Sequence, residues 1–221
     1  MEGVHLRDTR KFYLDASPEA FVAPGHVSFA KERAGREILD YGCATGNYCL
    51  TLAEAGFRCT GVDINESYAE KAREHGVNAH TIVAGRPLPF RNDSFDTVLL
   101  FEVLEHVPDY EFVLEEARRV ARKNVLVTVP NCGEAPALLR ASLVADHMLE
   151  LDHVNFFTPE TIERSLASIF RAYEIREEEY KDAAFFRLLL PRFFAAGLSV
   201  LARSGLLRKK FSYRIFAEAL I

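Results

Sequence analysis

The chain has 221 residues, 49% of them hydrophobic and 27% charged, which is enough apolar material for one full-sized core and leads us to expect a single domain over 1–221. Its formal net charge of −5 argues against a general nucleic-acid binder. The N-terminus lacks the pattern of a signal peptide and no apolar stretch is long enough to cross a bilayer, so a cytoplasmic protein is expected.

Residues 1–36 read as a helical cap, with Pro18, Pro24 and Gly25 as its breakers. From Glu37 onward, β-rich runs near 37–41, 58–63, 78–83, 95–101 and 124–130 alternate with helical patterns at about 47–56, 66–75 and 109–122. This alternation predicts a doubly wound α/β fold with a mainly parallel sheet. Asp109, just before the apolar-periodic Phe112, Val113, Leu114, Ala117 and Val120, is a suitable N-cap, and Thr158 followed by Pro159 starts a further helix. A strand near 170–179, an apolar and basic helical insertion over 183–210 and a last strand near 211–217 complete seven strands. Cys43, Cys49, Cys59 and Cys132 form no CxxC pair and are expected to be buried, reduced thiols.

The first strand runs into Asp40-Tyr41-Gly42-Cys43-Ala44-Thr45-Gly46, and a helix follows. Gly42 and Gly46 let the backbone turn sharply and approach a ligand. A nicotinamide site would want G-x-G-x-x-G, but Ala44 and Cys49 occupy the second and third glycine positions. Asp40 would also repel a pyrophosphate, whereas it suits a cationic ligand. Asp63 closes the second strand, where doubly wound folds place the acid that accepts bonds from ribose hydroxyls.

These residues, together with Leu88-Pro89-Phe90, Ser94-Phe95-Asp96 and Glu102-Val103-Leu104-Glu105-His106-Val107, resemble the class I S-adenosylmethionine (SAM) dependent methyltransferases over about residues 36–180. The resemblance implies a Rossmann-like methyltransferase fold and SAM as cofactor. It places Asp40 near the methionine moiety, Gly42, Ala44 and Gly46 along the cofactor, and Asp63 on the ribose, with Ile64 and Phe101 in the same site. Glycine is usual where Ala44 stands, and the replacement is expected to be mild. The acid that commonly meets the adenine amino group is Ala84 here, so adenine is expected to rest on backbone groups near Gly85 and Arg86.

Glu102, Glu105 and His106 stand at i, i+3 and i+4, so one helical turn would aim all three the same way, and His153 follows later. Two carboxylates and two imidazoles can ligate a divalent ion, and a cation that lowers a hydroxyl pKa would assist methyl transfer to oxygen. This ExxEH with a later histidine is similar to the site of small-RNA 3′-end 2′-O-methyltransferases and of ubiquinone-pathway O-methyltransferases. The alternative is that the acids pair structurally; His106 or His153 would then be the general base. Tyr13 and Asn131 are weaker candidates for substrate contacts.

The ionised side chains from Ala183 to Ile221 sum to +6, which leaves −11 for the rest. Arginines interleaved with bulky apolar residues between 183 and 210 fit a helix lying on the inner, anionic face of a membrane, and then a lipid-linked acceptor. They equally fit a helical pair buried on the body or across a homodimer interface. The expected activity is methyl transfer to a hydroxyl oxygen of a small or lipid-linked molecule. N-methylation, RNA 2′-O-methylation and a catalytically silent SAM-binding subunit are the alternatives; RNA is disfavoured because basic charge is confined to one insertion.

Overall fold

A computed structural model describes residues 22–140, 143–182, 187–188 and 210–221. Helix α1 (Pro24–Arg33) precedes β1 (Glu37–Tyr41), α2 (Asn47–Glu54), β2 (Arg58–Asp63), α3 (Glu66–Glu74) and β3 (Asn78–Thr81). Then come β4 (Phe95–Phe101), a 3-10 turn (Leu104–His106), α4 (Tyr110–Val120), β5 (Ala121–Pro130) and α5 (Ala135–Arg140). Strand β6 (Leu143–Val144), a second 3-10 turn (Asp146–Leu149), α6 (Pro159–Ile169) and β7 (Ala172–Glu178) follow. Short strands β8 (Lys181–Asp182), β9 (Arg187–Leu188) and β10 (Lys210–Phe211) lead to β11 (Arg214–Leu220).

Seven strands form one sheet in the order β3-β2-β1-β4-β5-β11-β7. The ladders joining β3, β2, β1, β4 and β5 are parallel, and β11 runs antiparallel between β5 and β7. This is a Rossmann-like sheet whose strand order reverses beside β1, so the loops after β1 and β4 diverge and open a crevice at the carboxyl ends of the strands.

Strand alternation divides the core between the two faces. Leu39, Val98, Leu100, Val125, Val127 and Ile215 pack with Val113, Leu114 and Ala117 of α4 and Ile162 and Leu166 of α6. Ile38, Leu99, Leu126 and Phe216 point the other way, onto Phe29 and Ala30 of α1 and Leu52 of α2. Near-continuous apolar strands are what a sheet covered on both faces requires.

Both expected N-caps form. Asp109 accepts from the Phe112 N–H at 3.4 Å, and Thr158 with Thr161 makes a reciprocal capping box with Pro159 in the first turn. Pro24 and Gly25 do not break the cap but open α1, since the first turn has no backbone donors to lose. Strand β3 stops at Thr81, β5 starts at Ala121 directly after α4, and β11 lies about three residues beyond the expected 211–217. The last shift arises because Asn131 anchors residues 212 and 213: its amide donates to Ser212 Oγ at 3.0 Å and its N–H to the Tyr213 carbonyl at 3.0 Å.

Most of the 183–210 insertion, with its proposed membrane or dimer face, lies outside the described residues, as do residues 1–21 and Tyr13. Where it is described it is extended rather than helical: Arg187–Leu188 pairs with β6, and Lys210–Phe211 with β8. Among the described residues no helix is long and apolar enough to cross a membrane.

One buried polar network ties α1 to the sheet. Asn124 donates to the Arg33 carbonyl at 3.1 Å and to Glu218 at 2.6 Å, and accepts from the Thr97 hydroxyl at 2.6 Å. Thr97 in turn accepts from the Gly35 N–H at 2.9 Å. Replacing Asn124 by alanine takes a partner from buried Thr97 and from the part-buried Glu218 and Arg33 carbonyl, so urea denaturation of Asn124→Ala is expected to show a loss of roughly 1 to 3 kcal/mol.

Candidate functional site

The turn after β1 is fixed by β2. Val62 O accepts from the N–H groups of both Gly42 and Cys43, at 2.8 and 3.0 Å, so the chain must bend where the strand ends. Gly42 has a φ of +77°, and a Cβ there would come within 2.8 Å of the Val103 side chain from the loop after β4. Gly46, also left-handed, opens α2. Ala44 adopts a φ of +45°, a conformation that costs an L-residue roughly 1 to 2 kcal/mol, so its replacement of the usual glycine is less mild than its small side chain suggests. Asp63 offsets part of that cost: one carboxylate oxygen accepts from the Ala44 N–H at 2.9 Å and the other from the Asn65 N–H at 2.8 Å.

Asp40 lies at the end of β1 with 2% of its surface exposed, and Cys49 Sγ donates to its carboxylate at 3.7 Å. Burial raises its pKa to about 7, the Cys49 thiol opposes the rise, and the nearby Asp63 adds to it. Ile64 and Val83, at the ends of neighbouring strands, are 61% and 68% exposed. Gly85 and Arg86 form the exposed turn that follows, where the Arg86 N–H donates to the Val83 carbonyl at 3.2 Å. Phe101 differs from these: its ring is buried among His26, Phe29 and Tyr48, so at this strand end it can offer a ligand only its main chain.

The loop after β4 departs from the expected helical turn. Glu102 has a φ of +54°, and only Leu104–His106 make a 3-10 turn. Glu102 therefore points away from its two motif partners, toward Arg214 of β11, whose Nε donates to it at 2.9 Å. Arg214 also pairs with Glu179, and the other Glu102 oxygen lies 3.9 Å from His26 Nε2. Tyr48 OH accepts from the Ala23 N–H at 3.2 Å and lies 2.7 Å from His26 Nδ1. Burial, and then Arg214, lower the His26 pKa to about 3, so the ring is neutral.

Glu105, His106 and His153 do converge, with ligand atoms all within 4.8 Å of one another. The chain builds this junction from the backbone. The Glu105 carbonyl accepts from the Val154 and Asn155 N–H groups at 2.8 and 3.1 Å, and the Asn155 amide donates to the Leu104 and Val107 carbonyls at 2.8 and 2.7 Å. Asn155 thus clamps the loop carrying His153 onto the turn carrying Glu105 and His106.

Glu105 is 1% exposed, and neither of its carboxylate oxygens has a hydrogen-bond partner among the described residues. Burial pushes its pKa well up, and Glu102 pushes in the same direction. His106 Nδ1 lies 3.3 Å from the Asp152 carbonyl and 3.4 Å from its carboxylate, and its ring meets His153 edge to face with centroids 4.7 Å apart. Burial and then His153 lower its pKa. His153 Nε2 lies 3.2 Å from Glu150, which burial alone would raise but which the neighbouring imidazoles hold below the ordinary range. Each imidazole is therefore oriented by an acid on one nitrogen, which leaves the other for an ion or a proton. His147, with both ring nitrogens buried and unpartnered among the described residues, is kept neutral by burial at a pKa of about 4.

Glu150, Asp152, His147, His26 and Arg214 were not singled out from the sequence. The density of His147, Glu150, Asp152 and His153 within seven residues is the signal that could have found the first three. Nothing local marks His26 or Arg214, which reach Glu102 only through the tertiary fold. Asn131 is structural, its amide donating to Glu177 and Ser212 while its oxygen accepts from the Gly133 N–H.

Residues 39–129 match the family profile described as a methyltransferase domain. The ubiquinone biosynthesis O-methyltransferase of Hahella chejuensis is 29% identical over 171 residues, which are 68% of this chain and 72% of that one. The enzyme of the same name from Pseudomonas aeruginosa strain UCBPP-PA14 is 30% identical over 140 residues, covering 59% of this chain and 60% of the relative. The chain thus spans about three fifths of the Pseudomonas enzyme and about half of the enzyme of the same name from Bordetella avium. Among solved structures, a SAM-dependent methyltransferase from Archaeoglobus fulgidus superposes with a TM-score of 0.65 at 16% identity, covering 97% of this chain and 100% of that one. Magnesium protoporphyrin IX methyltransferase from Synechocystis, solved with S-adenosylhomocysteine, gives 0.56 at 16% identity over 89% of this chain and 80% of its own.

Two outcomes test this geometry. Asn155→Ala releases two backbone carbonyls, and is expected to cost roughly 1 to 3 kcal/mol in urea and to speed amide exchange across residues 152–158. For Asp40, whose folded pKa of about 7 stands above its ordinary 3.8, the stability contribution is complete below pH 4 and is lost as pH rises through 7. Asp40→Asn should therefore flatten the stability profile over that window, by roughly 4 kcal/mol at the upper end. An unchanged slope in the variant would show that Asp40 is not the group titrating.

Proposed function

We propose that this chain is a class I SAM-dependent methyltransferase and that it transfers a methyl group to a hydroxyl oxygen of a small or lipid-linked acceptor, assisted by a divalent cation. The observation that carries the oxygen and the cation is Glu105: a fully buried carboxylate, unpartnered among the described residues, lies within 4.8 Å of two imidazole nitrogens. Leaving such a group without a counter-charge is costly, and a cation ligated by Glu105, His106 and His153 removes the cost. The named function of the two relatives described above, O-methylation, agrees with this chemistry.

The cofactor site also fits its group. The turn at Gly42 has no room for a Cβ, so backbone can line a ligand there. Asp40 is buried beside a single weak thiol donor and can receive an ammonium. Asp63 spends one lone pair of each oxygen on backbone and keeps the others for ribose hydroxyls. Ile64 and Val83 are exposed apolar side chains that a planar adenine can cover, with the Gly85–Arg86 turn beside them.

SAM, when bound, supplies a methyl group on a sulfonium, open to in-line attack by a nucleophilic oxygen. A divalent cation would supply Lewis acidity that lowers the acceptor hydroxyl pKa. The chain's own part is to orient the acceptor and take its proton. His106 and His153 are held in place by Asp152 and Glu150, and either can receive the proton. Glu102 is held by Arg214 and so contributes charge near Glu105 rather than joining the 4.8 Å cluster. Leu151, Val154 and Phe156 are exposed on both sides of His153, which favours an apolar acceptor entering there.

Calorimetry of the purified chain with S-adenosylhomocysteine and, separately, with Mn²⁺ tests both halves. Glu105→Gln and His153→Ala are expected to weaken Mn²⁺ binding at least about tenfold while leaving S-adenosylhomocysteine affinity within about twofold, because the two ligands share no residue. Asp63→Asn should do the reverse. Wild-type protein that binds the nucleoside but no divalent cation would leave the methyltransferase and remove the cation.

A further inference from the structure

Beneath the cofactor turn lies a second cluster of reactive groups that methyl transfer does not use. Cys49, in the first turn of α2, and Cys59, in β2, have their sulfur atoms 2.7 Å apart. That is well inside ordinary contact for two thiols and only a short movement from a covalent bond, whose length is about 2.05 Å. Gly61 makes the space: a Cβ there would stand 2.5 Å from Cys43 Sγ and 3.6 Å from Cys49 Sγ. Cys49 is buried, whereas Cys59 is partly exposed and gives a small oxidant its way in.

We propose that Cys49 and Cys59 form a reversible disulfide on exposure to hydrogen peroxide, and that the oxidised chain binds SAM and S-adenosylhomocysteine more weakly. The second half rests on the cofactor reading above; the first does not. In the first step the Cys59 thiolate attacks one peroxide oxygen, the O–O bond breaks, and hydroxide leaves to take a proton as water. The Cys59 sulfur is then a sulfenic acid. Cys49 displaces its hydroxyl, giving the S–S bond and a second water once the Cys49 proton is transferred. Two thiols thus lose two electrons and two protons, and one peroxide is reduced to two waters. A dithiol reverses the change by exchange.

The link to the cofactor runs through Asp40. The Cys49 thiol donates to its carboxylate, and a disulfide sulfur has no proton to donate. Asp40 then loses a partner that favours its charged form, the form that would receive the ammonium. Drawing Cys49 toward β2 also shifts the first turn of α2, which begins at Gly46 of the cofactor turn. The neighbouring Cys59 and burial raise the Cys49 pKa, and burial raises that of Cys59, so bond formation should accelerate as pH rises above neutral.

The full chain, treated with hydrogen peroxide, is alkylated in denaturant, weighed intact and mapped by proteolysis, with calorimetry against S-adenosylhomocysteine before and after. The expected result is two alkylated thiols instead of four, a single Cys49–Cys59 link reversed by dithiothreitol, and binding about tenfold weaker when oxidised. Cys59→Ser should lose both the link and the peroxide sensitivity; Cys59→Ala serves if the serine variant does not fold, and the map of the wild-type chain depends on neither. Four alkylated thiols after treatment, a link between other cysteines, or oxygen addition without a link would overturn the disulfide. A Cys49–Cys59 link with unchanged affinity would overturn its effect on binding. Reduced protein that does not bind S-adenosylhomocysteine would instead fail the cofactor reading, while the map still decides the pair.

Discussion

The position of β1, parallel to β2 on one side and β4 on the other, is the constraint from which the remaining geometry follows. Its five residues are paired in register with Arg58–Val62 and three of them with Thr97–Leu99. Both partners continue past its end, so Val62 O is available to take the Gly42 and Cys43 N–H groups and force the turn. Because the strand order reverses here, the turn after β1 faces the loop after β4, whose Val103 side chain occupies the place a Cβ at Gly42 would need. The glycine turn and a loop of titratable residues are thereby brought together.

Burying those charged groups is expensive, and the structure meets the cost unevenly. Glu102 is compensated by Arg214, itself shared with Glu179, in a network that closes β11 over β4. Glu105, three residues on, has no such partner among the described residues, although it is the more deeply buried of the two. A carboxyl so placed must stay protonated or meet a cation, since an unpaired buried charge costs several kcal/mol. Packing alone gives no reason to keep a glutamate there, because leucine or glutamine would fill the same volume at lower cost. The retained cost is understandable if the site acts on a ligand that arrives later.

The strands of the sheet were legible because their faces are consistently apolar: β1, β2 and β4 fall where the runs of Ile38, Val62 and Val98–Phe101 place them. The caps were legible for the same local reason, since Asp109 and Thr158 each act on a donor three residues away. What local pattern could not supply was decided by long-range partners. The turn at Glu102 is not helical, so i, i+3 and i+4 spacing did not bring Glu102 to Glu105 and His106, and Arg214, more than a hundred residues later, took it instead. The end strand was displaced by Asn131 for a similar reason. His153 lies beside Glu105 because Asn155 ties its loop to two backbone carbonyls, a long-range contact of the same kind.

Ala44 shows how a departure from a family pattern is absorbed. An alanine held at a φ of +45° is strained where glycine would be at ease, and the strain is retained in every folded molecule. The Asp63 carboxylate accepts the Ala44 N–H and so ties the strained residue to β2. The two are thereby coupled: whatever loosens Asp63 also frees Ala44 to relax out of the left-handed region. On the proposed reading of Asp63 as the ribose acid, a ligand that drew on the remaining lone pairs of the same carboxylate would hold Asp63 and hence the turn in place. The loop after β1 is therefore more dependent on Asp63 than a loop with glycine at 44 would be.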